Sequence, residues 1–309
     1  MLANFLNKSK PINFIGIVIL FFLGYLSFVF EVYYTKNITL IEFIKYLFVF
    51  IIFIALFFTF NFIVIKNSLT LDNLFGFFFF SLFSFCLLPK IVDYAFLITL
   101  LVYQLAIRRI YSLRSLHKLT EKLFDSGFWL GVLFVLDSRT LLFIPLIYFA
   151  IYIHHKITIH TTLIPIVGWI TPLIVYFSYT LWQENTAEFS ALFEPEFSMD
   201  FQFYTSSKYL FLVYFLCITS FISIFAKSYK VMAVNNTFRK NWILILINTI
   251  IAVLYIAFLD SKNGSEFMYI AFPTAVLLAN GIEQITKTRN KNSIIFLLLC
   301  FAMSFYFIL

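Results

Sequence analysis

The chain has 309 residues, of which 62% are hydrophobic, 12% are charged and 45 are Phe. Soluble domains carry about 25% charged residues, so this composition excludes a soluble globular fold. It predicts an all-α, polytopic transmembrane helical bundle, because backbone polar groups inside lipid must be bonded within their own segment. The net charge of +7 is expected to follow from membrane topology, which gives no reason to expect a nucleic-acid partner.

The apolar runs predict about eleven membrane spans, most of them long enough to cross a hydrocarbon core of about 30 Å. The first run, Pro11 to Phe30, is too long for the core of a signal peptide and lacks a small-residue cleavage site, so we interpret it as a retained anchor. The expected spans are 12–30, 46–65, 73–89, 91–107, 124–136, 140–153, 162–182, 209–226, 242–259, 267–283 and 293–309.

The charges between the spans predict the orientation. Lys8 and Lys10 precede the first span, so the N-terminus is expected on the cytoplasmic side of a bacterial inner membrane. In that orientation most of the 22 basic residues fall in inner connections and most of the 15 acidic residues in outer ones. The two short spans between 124 and 153 either cross the membrane or form a re-entrant hairpin, and both alternatives return the chain to the same side.

We expect residues 1–309 to form a single transmembrane domain, whose longest connection is the outer segment 183–208. Four aromatic residues recur at every fourth position in this segment: Phe189, Phe193, Phe197 and Phe201. That spacing predicts an amphipathic segment, lying either on the membrane surface or on the helix bundle.

Two glutamates at the outer membrane edge are candidate catalytic residues. Glu31 directly follows the first span, and Glu42 precedes the second. A carboxylate held at a lipid interface beside basic groups can act as a general base or bind a metal. The alternative is that Glu31 simply ends a helix and meets water.

The segment Asp137-Ser138-Arg139-Thr140 places two charges between two apolar runs. Charged side chains near a membrane are costly, and the planar fork of Arg suits a phosphate group. We therefore predict that Arg139 binds a lipid phosphate and that Asp137 orients it; the alternative is a local ion pair that closes a turn. Gly127 and Gly131, four residues apart in the preceding run, predict close packing against another helix.

Three histidines, His154, His155 and His160, cluster near Lys156 on the inner side. Adjacent residues point about 100° apart on a helix, so His154 and His155 chelate a metal poorly together. Only a non-helical connection would bring His155 and His160 together. We expect a basic, lipid-facing cluster and no metal site. The sequence contains none of the motifs GxSxG, HExxH, GxxxxGK[ST] or GxGxxG.

The opening residues, from Met1 to Asn13, together with length and hydropathy, resemble a multi-pass membrane family of unknown function from flavobacterial-type bacteria. This resemblance implies no activity.

A second resemblance covers Gly127 to Pro145, reading GFWLGVLFVLDSRTLLFIP, and continues through Ile166-Val167-Gly168-Trp169 and Pro172. This run is similar to a helix–turn–helix of GT-C-type glycosyltransferases, which use lipid-linked sugars. Those enzymes generally carry an acidic residue in the first outer loop. The resemblance therefore implies a polyprenyl-phosphate-linked sugar as substrate and Glu31 or Glu42 as the base.

The leading hypothesis is thus a GT-C-like enzyme acting at the periplasmic face, with membrane lipids and a lipid-linked sugar as partners. The first alternative is a non-enzymatic membrane subunit of an envelope export or secretion complex, whose partners are other membrane proteins. The second is a transporter of lipid or a neutral solute. Ion-coupled transport is disfavoured because charged residues avoid the centres of the apolar runs.

Overall fold

A computed structural model of the chain describes residues 2–36, 39–155, 157–232, 236–260 and 262–308. Across these residues the regular secondary structure is helical, which confirms the all-α prediction. The α-helices are α1 (Leu2–Leu6), α2 (Pro11–Lys36), α3 (Leu40–Lys66), α4 (Phe75–Cys86), α5 (Leu88–Ile91), α6 (Tyr94–Ser112), α7 (Leu119–Leu136), α8 (Ile144–His154), α9 (Ile159–Trp182), α10 (Thr186–Ala191), α11 (Ser207–Met232), α12 (Asn236–Phe258), α13 (Phe267–Glu283) and α14 (Thr288–Ile308). Two 3-10 helices cover Ser138–Phe143 and Gln202–Thr205.

Each expected span overlaps a helix, and the helices identify a membrane protein. Within the described residues, six helices are long and apolar enough to cross a membrane: Pro11–Thr35, Leu40–Lys66, Tyr94–Ser112, Ile159–Trp182, Tyr209–Tyr229 and Phe238–Phe258. The shorter apolar helices are Phe75–Cys86, Ser138–His154 and Phe267–Glu283. The number of about eleven crossings and the cytoplasmic N-terminus stay predictions.

Helix α7 begins earlier than the sequence predicted. It starts at Leu119 rather than at 124, so that Glu121 lies on the helix together with Asp125. Their charges are balanced nearby, since Lys118 pairs with Glu121 at 3.0 Å and Arg109 pairs with Asp125 at 2.9 Å. Such pairing lowers the cost of keeping carboxylates at the end of an otherwise apolar helix.

The chain divides into two compact units. Unit 1 comprises Met1–Ile98, Phe201–Val234 and Asn263–Leu309, and unit 2 comprises Thr99–Asp200 and Asn235–Lys262. The single-domain organisation stays a prediction.

The core of unit 1 is built on α13 and the Phe-rich α4. Every residue of α13 from Phe267 to Ile282 is buried, which is the pattern of a helix enclosed on all sides. Phe60 of α3 stacks on Phe80 of α4 at 4.3 Å between ring centroids and meets Phe272 of α13 at 5.2 Å. Aromatic rings therefore join three helices of this unit.

The core of unit 2 contains a parallel pair of helices, α7 and α9. A Cβ added to Gly127 would lie 2.1 Å from the carbonyl oxygen of Pro165, and one added to Gly131 would lie 2.4 Å from that of Trp169. Both contacts advance by four residues in the same direction, so the two helices are parallel. A Cβ on Gly168 would likewise lie 2.3 Å from the carbonyl oxygen of Phe124. The predicted close packing at Gly127 and Gly131 is confirmed, and only residues without a side chain permit this approach.

Candidate lipid-phosphate site

Asp137 and Arg139 lie together in unit 2, where α7 ends. Oδ1 of Asp137 accepts hydrogen bonds from the backbone N of Arg139 at 3.1 Å and from its Nε at 2.8 Å. The hydroxyl of Thr140 donates to the carbonyl oxygen of Asp137 at 2.6 Å, which closes the start of the 3-10 helix. The Asp137 side chain is 14% exposed and the Arg139 side chain 30%, so Arg139 is the more exposed partner of the pair.

Tyr255 of α12 completes this cluster. Its hydroxyl donates to Oδ2 of Asp137 at 2.7 Å, so that both carboxylate oxygens accept hydrogen bonds. The Tyr255 ring packs against Phe143 at 5.4 Å, and Phe143 packs against Tyr103 of α6 at 4.9 Å. Hydrogen bonds thus hold the Asp137 carboxylate from two sides, and the carboxylate in turn holds the Arg139 guanidinium in place.

Sequence reasoning missed Tyr255, although a signal was present. Asn248 and Tyr255 are polar residues seven positions apart in an apolar helix, which places them on one face two turns apart. Asn248 is completely buried, and its Oδ1 accepts a hydrogen bond from the hydroxyl of Tyr103 at 3.2 Å. A polar stripe along α12 therefore points toward α6 and the Asp137 turn.

The segment from Gln183 to Asp200 folds back onto the end of unit 2 where Asp137 lies. Phe193 packs against Phe134 of α7 at 5.7 Å, one turn before Asp137. The backbone N of Ser198 donates to the carbonyl oxygen of Phe258 at 3.1 Å, close to Tyr255 along α12. This segment covers the carboxyl-terminal ends of both α7 and α12.

The Phe repeat, predicted to lie on the membrane surface or on the helix bundle, confirms the second alternative for two of its rings. Phe189 packs on Phe177 of α9 at 4.8 Å, and Phe197 meets Phe258 of α12 at 6.4 Å, so these rings lie on the helix bundle. Only Thr186–Ala191 is α-helical within this stretch, because Pro195 interrupts any longer helix. The fourth-residue spacing therefore does not describe one continuous amphipathic helix.

The two predicted catalytic glutamates lie on different helices of unit 1. Glu31 lies on α2, and its Oε2 accepts a hydrogen bond from the hydroxyl of Tyr306 at 3.4 Å. Oε2 of Glu42, in the first turn of α3, accepts from the backbone N of Thr39 at 2.8 Å and from its hydroxyl at 3.0 Å. Glu42 therefore forms a capping box at the start of its own helix.

Unit 1 also contains two buried acidic residues that sequence reasoning did not single out. Glu266 is 2% exposed and accepts hydrogen bonds from the Tyr204 hydroxyl and, at 2.8 Å, from the backbone N of Gly264. Glu283 is paired with Lys227 at 2.9 Å, and the side chains are 3% and 8% exposed. Burial of a carboxylate requires such partners.

Asn73 strengthens the pair of Lys227 and Glu283. Its side-chain amide donates to Oε1 of Glu283 at 2.7 Å, and the backbone N of Leu71 donates to the same oxygen at 2.9 Å. Glu283 thereby joins the end of α13 both to the connection between α3 and α4 and, through Lys227, to α11.

The structure places the predicted histidine cluster at the end of α8 and the start of α9. The rings of His154 and His155 are 6.3 Å apart, and a ring nitrogen of His155 contacts the carbonyl oxygen of Leu113. His160 lies on α9, and Lys156 lies outside the described residues. Across the residues that the structure describes, no group of three or more His, Cys, Asp and Glu side chains could hold a metal ion.

Comparison with known proteins places the chain in a family. No curated protein and no solved structure matches the chain. A family model described as a family of unknown function, DUF6427, matches residues 1–309. The predicted resemblance to a family of unknown function is thereby confirmed at that level, whereas the bacterial group and the likeness to GT-C enzymes stay predictions. Since the match covers the whole sequence, this membrane protein belongs to the family of unknown function DUF6427.

Proposed function

We propose that the protein binds the phosphate group of a lipid-linked sugar at Arg139 and acts as a GT-C-like glycosyltransferase. The observation that carries the proposal is the position of Arg139, whose guanidinium is held through Nε by Asp137 at 2.8 Å and whose side chain is 30% exposed. The bacterial inner membrane, with this end facing the periplasm, is part of the proposal.

The chemistry of the cluster favours a phosphate. The guanidinium of Arg139 is planar, and its N–H groups have the fork-like arrangement that matches phosphate oxygens. Asp137 accepts additional hydrogen bonds from the backbone of Arg139 and from Tyr255, which disperse its negative charge. The ion pair therefore orients Arg139 without cancelling its attraction for an anion.

The segment from Gln183 to Asp200 supports the same proposal. It brings Phe193 against Phe134 beside the Asp137 turn. Apolar neighbours lower the effective dielectric constant around a charge, and electrostatic attraction between a guanidinium and a phosphate is stronger in such surroundings.

In the proposed reaction, an acceptor hydroxyl attacks the anomeric carbon of the sugar. A new C–O bond forms, the bond between that carbon and the lipid phosphate breaks, and the phosphate leaves with its lipid. A carboxylate takes the hydroxyl proton. Glu31 is the better candidate for this base, because the Glu42 carboxylate already caps α3.

The proposal is tested with the variants R139A, R139K, E31Q and E42Q, using R289A as a control. Arg289 lies in the exposed first turn of α14 and carries the same charge. Two readouts are needed: cross-linking of a photoactivatable polyprenyl phosphate to the purified protein, and the glycans on the surface of cells that depend on each variant.

We expect R139A and R139K to lose cross-linking, because Lys cannot donate through an Nε–H while its charge remains directed at the lipid. E31Q should retain cross-linking and lose the glycans, while R289A should retain both. Unchanged cross-linking and glycans in R139A, at normal protein levels, would remove the proposal.

One observation favours a second candidate function, that of a non-catalytic lipid-binding subunit of an envelope complex. Both predicted catalytic carboxylates already have protein partners, Thr39 for Glu42 and Tyr306 for Glu31. If R139A loses both lipid cross-linking and surface glycans while E31Q and E42Q retain both, this second function is the correct one.

A further inference from the structure

A groove of about 830 Å³ opens between the first turns of α7 and α9, within unit 2. Ligand sites of proteins have volumes of about 300–1,000 Å³. The groove lies at the opposite end of α7 from Asp137, so it is separate from the Arg139 cluster. The lining residues on which the argument depends are Glu121, Phe124 and Asp125 of α7 and Ile159, His160 and Leu163 of α9.

The glycine contacts explain the shape of the groove. The two parallel backbones meet where Gly168 approaches Phe124 and where Gly127 approaches Pro165. All the lining residues lie at or before this contact along their helices, so the space narrows toward the glycines and opens toward the helix starts. Its walls are the apolar side chains of α9 and Phe124, and Leu163 is 52% exposed.

The mouth of the groove carries both signs of charge. Glu121 and Asp125 lie one turn apart on α7, and each has a basic partner, Lys118 at 3.0 Å and Arg109 at 2.9 Å. His160 adds an imidazole from α9. An apolar groove with acidic and basic groups at one end matches a molecule with an apolar chain and a head bearing both charges.

We propose that this groove binds an aminophospholipid, with one acyl chain between α7 and α9. Its ammonium group lies at Glu121 and Asp125, and its phosphate lies toward Lys118, Arg109 and His160. An ammonium group donates hydrogen bonds that the two carboxylates can accept in addition to those from Lys118 and Arg109, whereas a lipid without an amine offers them none.

A helix of a partner protein fits the groove less well. A helix with its side chains is about 10–12 Å wide, which is too wide for the closed end of a groove where two backbones touch. An acyl chain is thinner and can follow the narrowing space.

The test uses the full-length protein in nanodiscs that contain equal amounts of phosphatidylethanolamine and phosphatidylglycerol. Mass spectrometry then measures the lipid that remains bound after gentle release into detergent. We expect phosphatidylethanolamine to be retained about tenfold over phosphatidylglycerol, which corresponds to about 1.4 kcal/mol. Phosphatidylcholine, whose quaternary ammonium has no N–H, should be retained less well than phosphatidylethanolamine.

Two groups of variants separate the parts of the site. L163W fills the groove and should abolish retention, and I159W does the same at the mouth, where Ile159 is 80% exposed. I174W is the matched control, because Ile174 lies on the same helix outside the groove and is 60% exposed. E121Q/D125N should retain lipid and lose the preference for the amine.

Thermal unfolding of each variant verifies that it is folded, and I159W replaces L163W if the latter is not. Equal retention of the lipids by the natural protein, or equal retention by I159W and I174W, overturns the proposal. The proposal is also overturned if a photo-cross-linker placed at position 163 captures a protein and not a lipid.

Discussion

Gly127 of α7 faces the carbonyl oxygen of Pro165 across the helix pair, and an added Cβ would lie 2.1 Å from that oxygen. Because the clash is with backbone and not with a mobile side chain, α9 would have to move away. We expect G127A to lower the free energy of unfolding by about 1–3 kcal/mol, the usual cost of overpacking. Thermal unfolding in mild detergent measures this change.

Gly76 offers the matched control for that substitution. It is also a buried helical glycine, but its added Cβ would lie 3.6 Å from the Cβ of Ala279, an ordinary contact. G76A should leave stability unchanged or raise it, since Ala favours a helix by about 0.5–1 kcal/mol over Gly. Equal losses for G127A and G76A would contradict the close approach of α7 and α9.

Because Lys227 and Glu283 form a buried ion pair, we expect the stability of the protein to depend strongly on both residues. Their side chains are 8% and 3% exposed, so K227M leaves a buried carboxylate without its cation. We expect a loss of about 3–5 kcal/mol, as for other broken buried pairs. K227M/E283Q should be more stable than K227M alone, because the amide oxygen can still accept from Leu71 and Asn73.

Chemical unfolding of the single and double variants measures this coupling. The exposed pair of Lys118 and Glu121, 60% and 62% exposed, supplies the comparison. K118M should change stability by less than about 1 kcal/mol. If K227M costs as little as K118M, Lys227 does not compensate a buried charge.

Tyr255 is predicted to support the Asp137 turn. Y255F removes a hydrogen bond of 2.7 Å to a carboxylate and keeps the ring contact with Phe143. We expect a loss of about 1.5–3 kcal/mol, the range for hydrogen bonds to charged groups. Tyr214, which is 61% exposed on α11, is the control, and Y214F should unfold at the temperature of the natural protein.

The hydroxyl of Tyr204 predicts a dependence of stability on alkaline pH. Burial raises the pKa of Tyr204 above its ordinary value, and the neighbouring carboxylate of Glu266 raises it further. A raised pKa in the folded state contributes stability that is fully present below the unfolded value of about 10 and declines as the pH rises above it.

The measurement compares unfolding midpoints of the natural protein and Y204F at a series of pH values from neutral to strongly alkaline. The natural protein should lose stability above about pH 10 more steeply than Y204F, because the variant lacks the hydroxyl. If stability falls with pH equally in the natural protein and in Y204F, the pKa of Tyr204 is not raised in the folded state.

The sequence was sufficient to predict the helices and the tight helix contact. Apolar runs bounded by charges can form only helices in lipid, and each predicted span overlaps a helix. The pair Gly127 and Gly131 was recognisable because small residues four apart lie on one face of a helix. The charged turn from Asp137 to Arg139 was likewise visible, since both residues are local in sequence.

The partners of these residues were harder to predict. Tyr255 is 118 positions from Asp137, and Lys227 is 56 positions from Glu283. Periodicity in a sequence shows which face of a helix is buried, but it does not show which helix packs against that face. The sequence did contain one overlooked signal, because Thr39 and Glu42 have the spacing of a capping box. That motif predicts that the Glu42 carboxylate caps the start of its own helix, which is a structural role and not a catalytic one.

The parallel arrangement of α7 and α9 constrains the order of co-translational insertion. Gly127 and Gly131 leave the ribosome before α8, and the backbone that they contact at Pro165 and Trp169 emerges only afterwards. The contact between α7 and α9 can therefore form only after α8 has been synthesised and has returned the chain to the start of α9. A nascent chain that stops within α8 therefore exposes Gly127 and Gly131 without the helix against which they pack.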